Sequence, residues 1–311
     1  MKKKIAFVLT GGTIGSQTTA QSIDLPVIGP YPLLEKYKAV YRQETLDVDV
    51  FCPIQILSEN MTADSLHTLM RFLTDLDKTA YSGILIAHGS DTVHFTAALA
   101  AHLFADTQIP IVFTCAVRPP DNPNTDAFRN LHLAFQAIRQ PIPGVWFAFQ
   151  NPDGSAFLID AMRMAPCTHE GAFYDYFGTP AYRICNGHWS KQPHGCPEQI
   201  NRRSIALPNA FQKVLFIEPY PMLDYNAFQP DSFDCVLHSG YHSFTACCAG
   251  ENHSVLFFIA NCQRHGIPFY FAIPEAPKIP YGTTAQILST SAIPIYGYTP
   301  YAAYTWLLLQ K

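Results

Sequence analysis

Charged residues and long apolar runs are both scarce in this sequence, and each scarcity excludes a class of protein. Only 14% of the 311 residues are charged, against 48% that are hydrophobic, a balance typical of a globular rather than a disordered chain. No apolar run approaches the roughly 20 residues that a membrane-spanning helix needs. The formal net charge is −4 and no long basic block occurs, so neither nucleic acid nor an anionic membrane is an expected partner.

The nine cysteines form no recognisable framework. Their number is odd, and no two have the C-x-x-C spacing of a zinc ribbon or a redox pair. The basic start Lys2-Lys3-Lys4 is followed by an apolar stretch, Ile5 to Leu9, that is too short for the core of a signal peptide. These features predict a soluble protein of the reducing cytoplasm.

Strand-like and helix-like stretches alternate in the first half of the chain. The apolar runs of strand length are 4–9, 83–87, 109–114 and 144–149, and the helical patterns are 62–80, 92–105 and 126–139. This alternation predicts an α/β fold with a mostly parallel, doubly wound sheet. Apolar and acidic residues also alternate over 47–54, which predicts a hairpin there.

The length predicts more than one domain. We expect a larger N-terminal catalytic α/β domain over 1–185 and a smaller C-terminal α/β domain over 212–311. Between them, residues 186–211 lack apolar periodicity and are predicted to form a linker.

Two short turns rich in glycine and hydroxyl groups follow apolar strands. The first is Thr10-Gly11-Gly12-Thr13-Ile14-Gly15, and the second is His88-Gly89-Ser90-Asp91-Thr92. Each falls where a buried parallel strand is expected to end, which is the edge at which open α/β sheets bind ligands. A purely structural turn and a dinucleotide-binding fingerprint are the alternatives for the first turn, although the fingerprint needs glycine where Thr10 stands.

The two turns closely resemble the TGGTI and HGTDT signatures of the bacterial-type L-asparaginase and glutaminase family. Ser90 stands where that family usually has threonine. Three further segments, 54–61, 114–119 and 297–303, resemble family segments in the same order along the chain. The chain is therefore similar to the cytoplasmic type I-like L-asparaginases over essentially its whole length.

The resemblance implies a catalytic role for residues of both turns. Thr13 corresponds to the nucleophile that accepts the acyl group, and Ser90 with Asp91 corresponds to the second hydroxyl and its carboxylate partner. Gly12 and Gly89 would let the backbone approach the ligand. Their N–H groups are expected to stabilise negative charge on it.

The resemblance implies that other segments bind the substrate. Ser58 and Glu59 would hold the α-carboxylate and the α-amino group of an amino acid, with Asp91 near the amine. Ala116, in a turn that resembles the family's TGAMRP turn, is expected to line the same site. The simpler alternative for Ser58 and Glu59 is a solvated turn before a helix whose N-cap is Thr62.

Two departures from the family pattern concern the site. The family has a lysine in a motif like R-V-x-K, but the corresponding stretch here, Arg163–Cys167, contains none. The family often has a tyrosine on the mobile loop after its first signature, where this chain has Asp24, and Tyr31 comes later. Either another residue takes these roles or the chemistry differs.

The resulting prediction is an amidohydrolase that converts L-asparagine to L-aspartate and ammonia through a threonine nucleophile, with neither a metal nor an organic cofactor. The resemblance implies a homodimer or a homotetramer that acts on a small amino-acid substrate. Two alternatives stay open: an amidase for another small amino-acid amide, and a binding homologue with impaired catalysis. A metal site near His238 and His242 is a further alternative.

Overall fold

Two main β-sheets divide the chain into two units in the computed structural model, which describes residues 3–27, 32–42, 44, 46–185, 187–193 and 203–310. The first unit comprises Met1–His194 and Arg202–Leu207, and the second comprises Gly195–Asn201 and Pro208–Lys311. In the described part of the chain, no helix is long and apolar enough to cross a membrane.

The first unit carries the larger sheet and the helices that cover it. Its strands are β1 (Lys4–Leu9), β2 (Gln17–Thr18), β3 (Ile23–Asp24), β4 (Val48–Phe51), β5 (Tyr81–Ala87), β6 (Pro110–Thr114), β7 (Gly144–Gln150), β8 (Ala156–Asp160), β9 (Tyr182–Cys185) and β10 (His188–Lys191). Its α-helices are α1 (Leu33–Val40), α2 (Ala63–Asp75), α3 (Val93–Leu103) and α4 (Ala127–Ile138).

The larger sheet is mostly parallel, which confirms the predicted fold class. Its strand order is β10-β9-β8-β7-β6-β5-β1-β4. The five strands from β7 to β4 run parallel, whereas β8, β9 and β10 extend one edge and each pairs in antiparallel with the strand before it. Separately, β2 and β3 pair as a small antiparallel hairpin.

The central strands are apolar on both faces because helices cover the sheet on both sides. Phe7 of β1 and Leu85 of β5 belong to a core cluster with Tyr37 of α1 and Phe135 of α4. Their strand neighbours, such as Val8, point to the opposite face and are also completely buried. Burial on both faces fixes the ends of β1 and β5, from which the two signature turns leave.

The second unit is a smaller α/β unit, as expected from the sequence. Its strands are β11 (Val214–Ile217), β12 (Cys235–Ser239), β13 (Phe269–Ile273) and β14 (Ile293–Tyr296), which pair in chain order and are all parallel. Its α-helices are α5 (Val255–Arg264), α6 (Gly282–Leu288) and α7 (Pro300–Leu308).

The structure differs from the sequence-based expectation at residues 47–54 and within residues 186–211. The predicted hairpin over 47–54 is wrong, because Val48–Phe51 is the edge strand β4 and pairs in parallel with β1. Apolar and acidic residues alternate along β4 because a strand at the edge of the sheet is only partly buried. Within the predicted linker 186–211, His188–Lys191 forms β10 of the larger sheet, and residues 194–202 lie outside the described residues.

Candidate active site

The carboxyl ends of β1 and β5 lie side by side where the larger sheet reverses its strand order. β4, the next strand of this sheet after β1, lies on one side of that pair, whereas β6, which follows β5, lies on the other. Open α/β sheets bind ligands at such switch points, because the two connections leave in opposite directions and a crevice forms between them. The turns 10–15 and 88–92 both begin there.

The two turns touch backbone to backbone at Gly12 and Gly89. A Cβ added to Gly12 would lie 2.2 Å from Gly89 Cα and 2.5 Å from Gly89 N. Gly12 also has φ 66° and ψ −175°, a conformation that is essentially restricted to glycine. This contact brings Thr13 and Ser90, the next residue of each turn, onto adjoining segments.

A third segment, 56–60, meets the two turns at the same place. Gly12 N donates a hydrogen bond to Ile56 O at 2.8 Å, and Ile56 N donates to Thr10 O at 3.0 Å. A Cβ on Gly89 would lie 2.4 Å from Ser58 Oγ, so Ser58 fits only because residue 89 is glycine. The Gly12 N–H thus donates to Ile56 O in this structure, and the role of Gly12 in binding a ligand stays a prediction.

Ser58 and Asp91 form one hydrogen-bonded unit. Ser58 Oγ donates to Asp91 Oδ2 at 3.2 Å and accepts from Asp91 N at 3.3 Å. Thr92 Oγ1 donates to Ser58 O at 3.0 Å, which ties the start of α3 to the same segment. Ser58 is buried whereas Asp91 is exposed, so the pair joins a fixed hydroxyl to a solvent-accessible carboxylate.

His88 fixes the second turn rather than serving as a base. His88 N donates to Thr114 O at 2.9 Å, and its Nδ1 lies 2.9 Å from Gly89 O, an acceptor, which assigns the proton to Nδ1. Burial lowers the pKa of His88 to about 4, so the imidazole is neutral near pH 7. Both observations agree with a structural role for this histidine.

The turn after β6, which contains Ala116, is held by two buried polar side chains. Asp126 accepts hydrogen bonds from Val117 N at 3.1 Å and Arg118 N at 2.9 Å. Asn130 Nδ2 donates to Asp126 Oδ2 at 2.9 Å. Because Ala116 is itself completely buried, it can only shape the wall of a site.

A cysteine occupies the stretch in which the resemblance implies a lysine. Cys167 is half-buried, and burial together with the carboxylates of Asp91 and Asp126 raises the pKa of its thiol to about 11. Burial, Cys167 and the same carboxylates also raise the pKa of Cys115 well above its usual range. Near pH 7, the group that Cys167 presents within electrostatic range of Asp91 is therefore a neutral thiol.

The arginine of the same stretch is already paired. Arg163 Nε donates to Asp175 Oδ2 at 2.8 Å and Arg163 Nη2 donates to Asp175 Oδ1 at 2.9 Å, with both side chains almost completely buried. Burial raises the pKa of Asp175 even though the guanidinium opposes that shift. This bidentate pair anchors the stretch 163–175, so Arg163 is a structural cation.

Direct contacts link four of the predicted site residues, namely Gly12, Gly89, Ser58 and Asp91. Thr13 begins the short 3-10 turn Thr13–Gly15 and is half-buried, as is Ser90. Glu59 follows Ser58 in the 3-10 turn Ser58–Asn60 with its side chain exposed.

The two loop residues noted from the sequence lie after the Thr13 turn. Asp24 is exposed on β3 and its Oδ1 accepts a hydrogen bond from Leu25 N at 2.8 Å. Tyr31 lies outside the described residues.

Asp126 and Asn130 are the supporting residues that the sequence reasoning missed. Asp126 precedes α4 and Asn130 lies one turn later, and both are almost completely buried. An aspartate directly before a helical pattern is normally interpreted as a helix cap. Here its carboxylate turns back to Val117 and Arg118 instead, which the pattern alone does not reveal.

Within the residues described, no group of three or more His, Cys, Asp or Glu side chains is placed to hold a metal ion. His238 is completely buried in the second unit, where its Nε2 lies 2.8 Å from Tyr225 OH. That bond uses one of its two ring nitrogens within the core of the unit.

A family model described as asparaginase, N-terminal, matches residues 4–180. The matched range contains both glycine-rich turns, Ser58, Glu59 and the stretch 163–167.

The chain is also similar to several archaeal proteins that are named as subunits of a glutamyl-tRNA(Gln) amidotransferase. The protein of Methanosphaera stadtmanae is 25% identical over 324 residues, which cover 99% of this chain and 72% of that protein. The protein of Archaeoglobus fulgidus is 32% identical over 272 residues, which cover 84% of this chain and 62% of that protein. The protein of Methanococcus maripaludis strain C7 is 30% identical over 236 residues, which cover 71% of this chain and 54% of that protein. The chain thus spans between 54% and 72% of these relatives.

Two solved structures share the fold. The thermostable L-asparaginase from Thermococcus kodakarensis has a TM-score of 0.75 at 20% identity, with 98% of this chain and 92% of that chain covered. L-asparaginase I from Vibrio cholerae has a TM-score of 0.74 at 19% identity, with 99% of this chain and 92% of that chain covered. At this identity the likeness concerns the fold alone.

Proposed function

The chain belongs to the asparaginase family, and from that premise we propose that it hydrolyses the side-chain amide of L-asparagine to L-aspartate and ammonia. The observation that carries the proposal is the meeting of three segments at the switch point of the larger sheet, through Gly12, Gly89 and Ser58. This meeting sets a half-buried threonine, Thr13, beside a turn that carries the exposed carboxylate of Asp91.

Thr13 is the proposed nucleophile. Its Oγ1 would attack the carbonyl carbon of the side-chain amide, the C–N bond would break, and the nitrogen would leave as ammonia after taking up a proton. A water molecule would then cleave the resulting ester and release the acid. Gly89 N makes no hydrogen bond to any residue that the structure describes, so it is the proposed donor to the developing oxyanion. One such donor lowers the activation barrier by about 3 kcal/mol.

Asp91 is the proposed acceptor of the Thr13 proton. It is the carboxylate of the adjoining turn, and Ser58 holds its Oδ2 at 3.2 Å. No lysine stands in the stretch 163–167, and the Cys167 thiol, whose pKa is raised to about 11, does not supply a cation there. Because a carboxylate alone is a weak base, we expect turnover that is slow rather than absent.

Ser58 and Glu59 are the proposed contacts to the α groups of the substrate. The Ser58 hydroxyl would turn its single proton from Asp91 Oδ2 to the substrate carboxylate, and the carboxylates of Asp91 and Glu59 are suited to an ammonium group. Both acidic side chains are exposed, so a small zwitterion would reach them from solvent.

The names of the relatives favour a second candidate function. Because three of them are named as glutamyl-tRNA(Gln) amidotransferase subunits, an alternative proposal is that this chain releases ammonia from an amide as one component of an amidotransferase. Hydrolysis of L-asparagine by the isolated chain favours the first proposal. Activity that depends on L-glutamine and on a second purified protein favours the alternative.

Ammonia release from a panel of free amides tests the proposal. The panel contains L-asparagine, L-glutamine and both D forms, and wild-type protein is compared with Glu59→Gln. We expect preference for L-asparagine and a higher KM in Glu59→Gln, because one carboxylate that faces the amine is lost. Glu35→Gln, an exposed substitution on α1, is the matched control. Absence of ammonia from every amide would reject the proposed activity.

A further inference from the structure

The β2–β3 hairpin directly follows the Thr13 turn and is short and exposed. Each strand has two residues, and residues 18–24 are exposed. A two-stranded hairpin of this size is marginally stable in water by itself. Its position therefore depends on contacts with other segments of the unit.

Asp121 makes such a contact from the loop between β6 and α4. Thr18 N donates a hydrogen bond to Asp121 Oδ2 at 2.6 Å, and Thr18 Oγ1 donates to Asp121 Oδ1 at 3.0 Å. Both oxygens of one carboxylate are thus engaged by one residue 103 positions away in the sequence. These bonds hold the pKa of Asp121 below its usual range, so the carboxylate is ionised at neutral pH and accepts charge-assisted hydrogen bonds.

The loop that carries Asp121 is itself firmly held. Asn122 N donates to Pro119 O at 3.0 Å and closes a turn around Asp121. Beyond that turn, Thr125 Oγ1 donates to Arg118 O at 3.1 Å, next to the Arg118 N–H that the buried Asp126 accepts. Asp121 therefore projects from a fixed support, and the hairpin is the less constrained partner.

The chain between Thr18 and Thr13 transmits this constraint to the nucleophile. Ser16 is completely buried; its Oγ donates to Gly12 O at 2.8 Å and its N donates to Thr13 O at 3.1 Å. The Thr13 turn is thus fixed at Ser16, and two residues later the chain is fixed again at Asp121. Between these points it has little freedom to shift.

We propose that Asp121 is a positioning residue of the Thr13 site. By holding Thr18, it keeps the β2–β3 hairpin in a fixed position against the β6–α4 loop, which also contains Ala116. The segment that leaves Thr13 is fixed with the hairpin. This role rests on the proposed function. It adds a residue outside both signature turns that sets how well the site holds its amino-acid substrate.

The test compares Asp121→Ala and Asp121→Asn with a matched control, Asp77→Ala. Asp77 also accepts hydrogen bonds from the backbone N–H and the hydroxyl of one threonine, Thr79 N at 3.0 Å and Thr79 Oγ1 at 2.6 Å, although both reach its Oδ1. It precedes β5, at the amino ends of the parallel strands and thus away from the site. For each variant we would measure hydrogen exchange of the backbone amides over 17–24, KM and kcat for L-asparagine, and the Kd for L-aspartate.

We expect Asp121→Ala to speed exchange at the Thr18 amide at least tenfold and to raise KM and the L-aspartate Kd about tenfold, with a much smaller change in kcat. Asp121→Asn keeps one oxygen that can accept a hydrogen bond, so it should recover part of both effects. Asp77→Ala should leave exchange over 17–24, KM and Kd unchanged.

Unchanged exchange at Thr18 in Asp121→Ala would overturn the proposal, and so would faster exchange with unchanged KM and Kd. Wild-type protein that releases no ammonia would instead count against the proposed function. In that case the L-aspartate Kd still decides the role of Asp121, since weaker binding in Asp121→Ala supports it and equal binding contradicts it.

Discussion

Substitution of Gly12 by alanine should both destabilise the first unit and disrupt its site. The new methyl group would lie 2.2 Å from Gly89 Cα, against backbone that has no flexible end to move. Alanine in the backbone conformation of Gly12 costs on the order of 1–3 kcal/mol, and overpacking of this kind adds roughly 1–3 kcal/mol. The free energy of unfolding should therefore fall by about 2–6 kcal/mol, a large part of the roughly 5–15 kcal/mol of a typical domain.

Urea unfolding followed by far-UV circular dichroism would measure the loss, with ammonia release measured in parallel. Gly15→Ala is the matched control, because Gly15 lies in the same turn and a Cβ there meets nothing within 4 Å. That variant should stay within about 0.5 kcal/mol of the wild type. If Gly12→Ala unfolded within about 1 kcal/mol of the wild type, the inference that the two turns touch at Gly12 and Gly89 would be refuted.

Three further predictions concern the surroundings of the site and the cores. Arg163→Gln should cost about 3–5 kcal/mol in urea unfolding, because it leaves Asp175 buried without its cation; a loss below about 1 kcal/mol would contradict the buried pair. His88 and His238 have pKa values lowered to about 4 by burial, below the unfolded value of 6.5, so the stability that depends on their neutral forms is complete above pH 6.5 and declines as the pH falls toward 4. Protonation of each histidine should lower the free energy of unfolding by about 1.5 kcal/mol between pH 6.5 and 5, and equal unfolding free energies at the two pH values would refute this. Cys167→Lys should raise kcat for ammonia release, because it adds a cation near the carboxylate of the second turn, whereas Cys167→Ser should not; equal rates in both variants would show that the missing lysine does not limit turnover.

Strong apolar runs explain why four of the eight strands of the larger sheet, β1, β5, β6 and β7, could be predicted from the sequence. Runs such as Ile84-Leu85-Ile86 are typical, in an α/β chain, of a strand buried on both faces. The predicted N-cap of α2 is confirmed, since Ser65 N donates to Thr62 Oγ1 at 3.2 Å. Local chemistry determined these elements, so local patterns were sufficient to find them.

The antiparallel strands β8, β9 and β10 were not predicted from the sequence, and the edge strand β4 was predicted with the wrong pairing. β10 is exposed at three of its four residues and therefore carries no apolar alternation. The Asn186-Gly187 dipeptide before it is a hairpin signal that was available in the sequence. β4 did alternate, but whether its partner would be parallel or antiparallel depended on β1, which lies about forty residues earlier and which only the tertiary fold brings beside it.

The candidate site could be predicted in part for the same reason. The two glycine-rich turns are local motifs, and their meeting follows from the switch-point rule. The carboxylate of Asp126 and the contact of Asp121 with Thr18 depend on which loop faces which, and no short pattern contains that information. The occupation of the Gly12 N–H by Ile56 depends likewise on a pairing between distant segments.

Ammonia release from L-asparagine by wild-type protein and Thr13→Val, with L-aspartate binding measured on both by calorimetry, tests the central claim most directly. Valine has nearly the shape of threonine without the hydroxyl, so the account predicts that ammonia release falls to background while L-aspartate still binds. Equal rates of ammonia release in the two proteins would contradict it.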